Sequence, residues 1–142
     1  MYKIILLVAA VLTTILTTSA LAADYNYVSP DQFKQWLESG KTMSIVDIQV
    51  PPEFAKKHFN GAIETNAYPV KSPEEKQRLD KSLPILAAGE QDVVVICPRG
   101  GGGAKNTVDY LKEKGITEKR IIILKEGMQG WPYKEMTVGE QK

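Results

Sequence analysis

The sequence predicts an α/β domain built on one central, mostly parallel sheet with helices on both faces. Three observations predict it. Two continuous apolar runs, V-V-V-I at 93–96 and I-I-I-L at 121–124, have the composition of strands buried on both faces of a parallel sheet. Stretches opened by helix-cap signatures alternate with such runs, the order that a sheet with crossover helices requires. A length of 142 residues, 43% hydrophobic and 25% charged, suits one compact domain.

The first residues read differently from the rest. Lys3 supplies a short basic start, residues 4–16 are almost wholly apolar or threonine, and the small-residue stretch S-A-L-A-A follows. This is the layout of a secretory signal peptide. Ala20 and Ala22 fit the small-residue rule for cleavage, which sets a leader at 1–22 and a single mature domain at 23–142. An uncleaved anchor is the competing reading. A spanning helix needs about 20 predominantly apolar residues, however, and this stretch runs out into Thr17, Thr18 and Ser19. The expected product is periplasmic or secreted, with no stable membrane association after cleavage. Lys3 accounts for the formal net charge of +1, so the mature chain is neutral and has no electrostatic reason to bind nucleic acid. A single cysteine excludes an internal disulfide, although export compartments favour paired cysteines, so this unpaired thiol calls for a reason.

Ser29-Pro30-Asp31-Gln32 opens the first helix, with Ser29 as N-cap, Pro30 at the first helical position and Gln32 closing a capping box. Phe33, Trp36 and Leu37 form its apolar stripe, and Ser39-Gly40 stop it. Residues 43–48 read as a short buried strand with Asp47 near its end, after which Pro51-Pro52 break the chain. Residues 53–58 suit a short helix, Asn60-Gly61 a turn, and A-I-E-T-N a second short strand. Ser72-Pro73-Glu74-Glu75 repeats the cap signature and opens a charged helix, expected to run through Leu83 as a surface connector before Pro84 and Gly89. Asp92 leads into the strand that Cys97 terminates. A loop at 98–102 follows, then a helix from about Gly103 through Lys114, with Val108 and Leu111 inward and Gly115 as its stop. Residues 120–124 supply a further strand, and K-E-G-M-Q-G-W-P a turn-rich stretch after it.

In open α/β sheets ligands bind beyond the carboxyl ends of the strands, so parallel strands would gather Asp47, Cys97 and the turn at 126–131 on one rim. Cys97 stands directly before a glycine run that leads into a helix. Backbone N–H groups of the loop and first turn can therefore point at its sulfur, the setting in which thiols are reactive. Gly100, Gly101, Gly102 and Gly103 carry no Cβ to block those amides and form a natural cradle for an anion. The competing role for this cysteine is a small buried hydrophobe at a strand end.

The loop C-P-R-G-G-G-G-A resembles the active-site loop of the rhodanese-like family, small α/β domains whose loop is often written C-x-x-G-x-R followed by Ser or Ala. Cys97 and Gly100 occupy the places of the family's cysteine and first glycine. Upstream, I-V-D-I-Q-V-P-P-E-F resembles the family's strand with D-V-R and the E-Y or E-F after it, and K-H-F-N-G-A resembles G-H-I-P-G-A. Asp47, Glu53, His58, Gly61 and Ala62 match there. Downstream, L-K-E-G-M-Q-G-W resembles L-x-G-G-M-x-x-W, so the likeness extends over 27–131.

The resemblance implies sulfur transfer. The Cys97 thiolate would attack a sulfane donor such as thiosulfate, release sulfite and hold the outer sulfur as a persulfide, which a thiophilic acceptor then collects. The partners implied are a small anionic sulfur donor and a thiol or cyanide acceptor, with no cofactor and no metal. By position the resemblance gives Arg99, Gly100, Gly101, Gly102 and Gly103 the persulfide-binding loop; Pro98 has no N–H to contribute. Two positions depart from the family pattern. Gly102 stands where many members carry an arginine that would hold the donor's anionic group, and Arg99 projects from a different point of the cradle. Gln49 stands where they carry the arginine of D-V-R, a structural position expected to pair with nearby acid. His58, the only histidine, matches a structural histidine, while Met128 and Trp131 fit packing and rim positions.

A cysteine phosphatase would place arginine six positions after its nucleophile, where Gly103 stands, and phosphoryl oxygens would lose their bidentate partner. A nucleotide-binding loop lacks its Gly-Lys-Ser/Thr ending here. The alternative from another class is a sulfur carrier or persulfide-binding module that uses Cys97 without fast turnover of free thiosulfate.

Overall fold

The computed structural model describes residues 24–140, so the leader expected at 1–22 lies outside the described residues. The strands are β1 Asn26–Val28, β2 Met43–Asp47, β3 Ile63–Glu64, β4 Asp92–Ile96 and β5 Ile121–Leu124. They form one sheet in the order β1-β5-β4-β2-β3. Every pairing is parallel. β2 and β4 run in register from Met43 beside Asp92 to Asp47 beside Ile96, which brings their carboxyl ends to one rim. The α/β fold with a parallel sheet is thus as the apolar runs predict. β1 is an addition: three residues beside β5 at one edge of the sheet.

Alternation along the strands divides the core in two. Val46, Val93, Val95, Ile121, Ile123 and Cys97 pack with Leu79, Leu86, Ala104, Val108 and Leu111. Leu79 belongs to the 3-10 turn Leu79–Ser82 that follows α3 Pro73–Arg78, Leu86 to α4 Leu83–Ala87, and the other three to α5 Gly102–Glu113. On the other face Ile45, Val94, Ile96 and Leu124 pack with Phe33, Phe59, Met128 and Trp131. Phe33 belongs to α1 Pro30–Glu38 and meets Phe59 and Trp131 edge-on at ring separations of 5.0 and 5.6 Å. Edge-to-face pairs of this kind add about 0.5–1.5 kcal/mol each beyond the area they bury.

Local chemistry explains where the helices begin. Ser29 Oγ accepts from the Gln32 N–H at 3.1 Å, so α1 forms the serine half of the expected capping box. At α3 both halves form, Ser72 Oγ accepting from Glu75 N at 3.2 Å while Glu75 Oε2 accepts from Ser72 N at 3.4 Å. Three expectations are corrected. Pro51 and Pro52 do not break the chain but open α2 Pro51–Lys56. Pro84 likewise lies in the first turn of α4 instead of following a single helix. In a first turn the backbone N–H has no intrahelical acceptor, so proline forfeits nothing there. Nor is the 73–87 region a surface connector, because Leu79, Ser82 and Leu86 are fully buried.

Candidate active site

β4 ends at Ile96 and α5 begins at Gly102, so residues 97–101 cross the carboxyl rim of the sheet between them. Cys97 is only 1% exposed and packs in the core on the α5 side. Its sulfur accepts a hydrogen bond from the Gly100 N–H at 2.7 Å. Gly100 reaches back over the sulfur because its φ is +72°, a left-handed conformation that side chains with a Cβ resist. A Cβ there would also stand 2.9 Å from Glu126 N and 3.0 Å from Leu124 O. Glycine is therefore required at position 100 by torsion and by space.

The remaining loop residues take different places. Arg99 is exposed. Gly101 is the N-cap of α5, and Gly102 and Gly103 form its first turn. By helix geometry the first-turn N–H groups have no intrahelical acceptor, and the partial positive charge of the helix start stabilises an anion placed before it. Of the five amides expected around the persulfide, Gly100 is the one hydrogen-bonded to the resting sulfur among the described residues. A Cβ at Gly101 or Gly102 would meet nothing within 4 Å. At Gly103 it would come within 2.9 Å of the Tyr68 ring and 3.2 Å of Ile48 Cδ1.

The turn after β5 fixes the loop from the other side. Met128 N donates to Cys97 O at 2.8 Å, and Gln129 N donates to Pro98 O at 2.9 Å. This docking needs Gly127, whose φ is +62° and whose missing Cβ would stand 2.3 Å from Cys97 O. Neither Gly127 nor Tyr68 was marked as a site residue by sequence reasoning. The signal for Gly127 lay in the motif K-E-G-M; Tyr68 had none, since its place depends on a contact 35 residues along the chain.

Asp47 reaches the same rim but faces inward, fully buried. Its carboxylate accepts from Gln49 N at 2.9 Å and Gln49 Nε2 at 3.0 Å, and Gln49 Nε2 also donates to Lys57 O at 3.1 Å. Gln49 thus pairs with acid as expected and ties the C-terminal end of α2 to the sheet. Burial pushes the Asp47 carboxyl up to about 6, against the pull of the Gln49 hydrogen bonds and of His58. His58 is engaged elsewhere: Nδ1 donates to Phe54 O at 2.7 Å, and its ring stacks on Phe54 with centroids 4.0 Å apart. Met128 and Trp131 are 2% and 3% exposed and pack in the core. A cavity of about 220 Å³ opens beside the loop, lined by Gln49, Lys56, Lys57, Pro98 and Gln129 among others.

The family model for the rhodanese-like domain matches residues 29–134. No curated protein sequence matches the chain. Among solved structures, a rhodanese-like domain protein from Staphylococcus aureus superimposes with a TM-score of 0.60 at 21% identity, over 82% of this chain and 99% of that one. An As-Sb reductase from Leishmania major superimposes with a TM-score of 0.61 at 14% identity, over 84% and 88% of the two chains. The thiosulfate sulfurtransferase from Pseudomonas aeruginosa gives a TM-score of 0.60 at 19% identity, over 82% of this chain and 20% of that one. At such identities these likenesses concern the fold. The family match spans β2 to β5, the cysteine loop and the turn docked on it, and the chain belongs to the rhodanese-like domain family.

Proposed function

We propose that this protein is a sulfurtransferase that moves sulfane sulfur from a donor such as thiosulfate to a thiol or cyanide through a persulfide on Cys97. The observation that carries the reading is the Gly100 N–H held 2.7 Å from Cys97 Sγ, at the point where β4 gives way to the start of α5. In the first step the Cys97 thiolate attacks the outer sulfur of thiosulfate. The S–S bond of the donor breaks, its electron pair leaves with sulfite, and the outer sulfur stays on Cys97. In the second step cyanide attacks that sulfur, and thiocyanate leaves as the Cys97 thiolate returns. Backbone N–H groups of Arg99 and Gly100 to Gly103 are the groups assigned to hold the negative charge on the terminal sulfur. Pro98 shapes the loop without contributing an amide.

A second reading is favoured by two observations. Gly102 offers no side-chain cation to the donor, and Cys97 is almost completely buried at rest. Under it the protein is a carrier that accepts persulfide sulfur and delivers it without fast turnover of free thiosulfate. Residues 1–22 are read as an export leader, which places the working protein in the periplasm or outside the cell; N-terminal sequencing of the protein from the expressing cell tests this.

Thiocyanate release from thiosulfate and cyanide, measured for the mature chain and for Cys97→Ser, tests the main reading. Wild type is expected to turn over and Cys97→Ser to be silent; equal rates would refute nucleophilic catalysis by Cys97. Silence of wild type with thiosulfate, together with one added sulfur on Cys97 after polysulfide treatment, would favour the carrier.

A further inference from the structure

We infer that Tyr68 is the specificity-determining residue of this site, an aromatic shelf for the organic group of a thiol-derived substrate, either a persulfide R–S–SH as donor or the thiol R–SH as acceptor. The inference rests on the Cys97 sulfur-transfer reading and adds the class of molecule that the loop takes.

The ring lies directly on the glycine loop. Its Cδ2 and Cε2 atoms stand 2.9 and 3.0 Å from where a Cβ of Gly103 would be, so the bare backbone at the start of α5 forms the floor on which the ring rests. Yet Tyr68 is 40% exposed, one of few large apolar side chains so open to solvent, and it sits at the carboxyl rim where substrate must enter. Its backbone is well anchored. Tyr68 N donates to Ile48 O at 2.9 Å, Asn106 Nδ2 to Pro69 O at 3.2 Å, and Arg78 Nη1 to Asn66 O at 2.9 Å. Ala67 and Val70 on either side are buried. Asn66 and Val70 hold φ values of +52° and +62°, a conformation that a β-branched valine adopts only when its surroundings impose it. An exposed aromatic ring is thus fixed in place by a strained and heavily tethered segment.

The other side of the mouth is bare. Gly101 and Gly102 place no side chain over the loop, and the space where one would project is open. An inorganic donor with a dianionic head finds no bidentate cation at Gly102 to hold it. An alkyl group attached to sulfur finds an apolar ring face on one side and room on the other, and sulfur itself packs favourably against aromatic rings. In the loading step the Cys97 thiolate bonds to the outer sulfur of R–S–SH, and the bond between the two donor sulfurs breaks. Its electron pair leaves with R–S⁻, and the proton stays on the transferred sulfur. The products are Cys97–S–SH and a thiolate, with no outside oxidant or reductant.

The experiment follows sulfur loading of Cys97 by mass spectrometry in wild type, Tyr68→Ala and Tyr68→Phe, with N-acetylcysteine persulfide or thiosulfate as donor. Tyr68→Ala is expected to load on the order of tenfold more slowly from the persulfide, the loss of one aromatic contact, and to lose less from thiosulfate, so that the ratio of the two rates falls. Tyr68→Phe keeps the ring face and is expected to behave as wild type. A second readout requires no sulfur transfer: the ratio of Cys97 alkylation rates by N-hexyl iodoacetamide and by iodoacetamide, expected to be high in wild type and Tyr68→Phe and reduced in Tyr68→Ala. Identical persulfide loading and identical alkylation ratios in wild type and Tyr68→Ala would overturn the role of Tyr68. Failure of every donor to load wild-type Cys97, with the alkylation ratio still dependent on Tyr68, would instead overturn the sulfur-transfer reading and the substrate class with it.

Discussion

At Gly102 an added side chain would leave the helix start into open space, with no atom beyond the neighbouring backbone within 4 Å of its Cβ. One residue later the same change would drive a Cβ against the Tyr68 ring at 2.9 Å, and two residues earlier it would meet both a positive φ and the backbone of the turn after β5. The four glycines are therefore not equivalent, and the position where the family often carries arginine is one with open space for a Cβ. Gly102→Arg is expected to fold as wild type and to raise kcat/KM for thiosulfate by about tenfold or more, through a charge-assisted contact to the donor's anionic end. Steady-state thiocyanate release measures it, and an unchanged kcat/KM would show that the cradle lacks nothing for thiosulfate. The order of strand, cysteine, glycines and helix was legible in the sequence because these residues are consecutive. Which glycines are obligatory was not legible, since that is decided by Leu124, Glu126 and Tyr68, far away along the chain.

Two elements make the loop rigid together: the β4 to α5 connection that holds Cys97, and the turn after β5 that donates to the carbonyls of Cys97 and Pro98. Gly127 is the hinge pin between them, because its φ of +62° and the 2.3 Å approach of its absent Cβ to Cys97 O leave no room for alanine. Gly127→Ala is expected to destabilise the protein by about 2–4 kcal/mol, through a left-handed torsion and a backbone clash. Urea denaturation measures the loss, and faster iodoacetamide labelling of Cys97 in the native variant would report the loosened loop; stability within 0.5 kcal/mol or so of wild type would refute the docking account. Elements with strong local signals were readable in advance, namely the apolar β4 and β5 and the capped starts of α1 and α3. β1 was missed because three residues paired on one side carry no periodicity to read. The 73–87 region was misjudged because Pro84 punctuates a sequence as a stop yet serves in space as a first-turn residue, and because Leu79 and Leu86 gain their burial from the sheet.

At the scale of the whole molecule, a parallel sheet delivers every strand's carboxyl end to one rim, and with it the groups that burial perturbs. Asp47 is the clearest case, a fully buried carboxyl at the end of a central strand, pushed up from 3.8 to about 6 chiefly by desolvation. Because the folded value lies above the unfolded one, the native state binds this proton more tightly. The group's contribution is therefore most favourable below about pH 4, where both states are protonated. It is lost as pH rises through about 6, where the native state must bury a carboxylate that the unfolded chain solvates. A shift of this size corresponds to a loss on the order of 3 kcal/mol. The two Gln49 hydrogen bonds limit the loss by holding the ionised form. Two variants read the effect from opposite directions. Asp47→Asn cannot ionise, so its unfolding free energy, measured by urea between pH 4 and pH 7, is expected to lack the decline that this carboxyl gives wild type. Gln49→Leu removes the side-chain donor while keeping the backbone one, and is expected to steepen the decline and move its midpoint upward. Parallel pH profiles for wild type and Asp47→Asn would mean that the carboxyl at the end of β2 is solvated in the native state, and that the rim beside Cys97 is wetter than its packing implies.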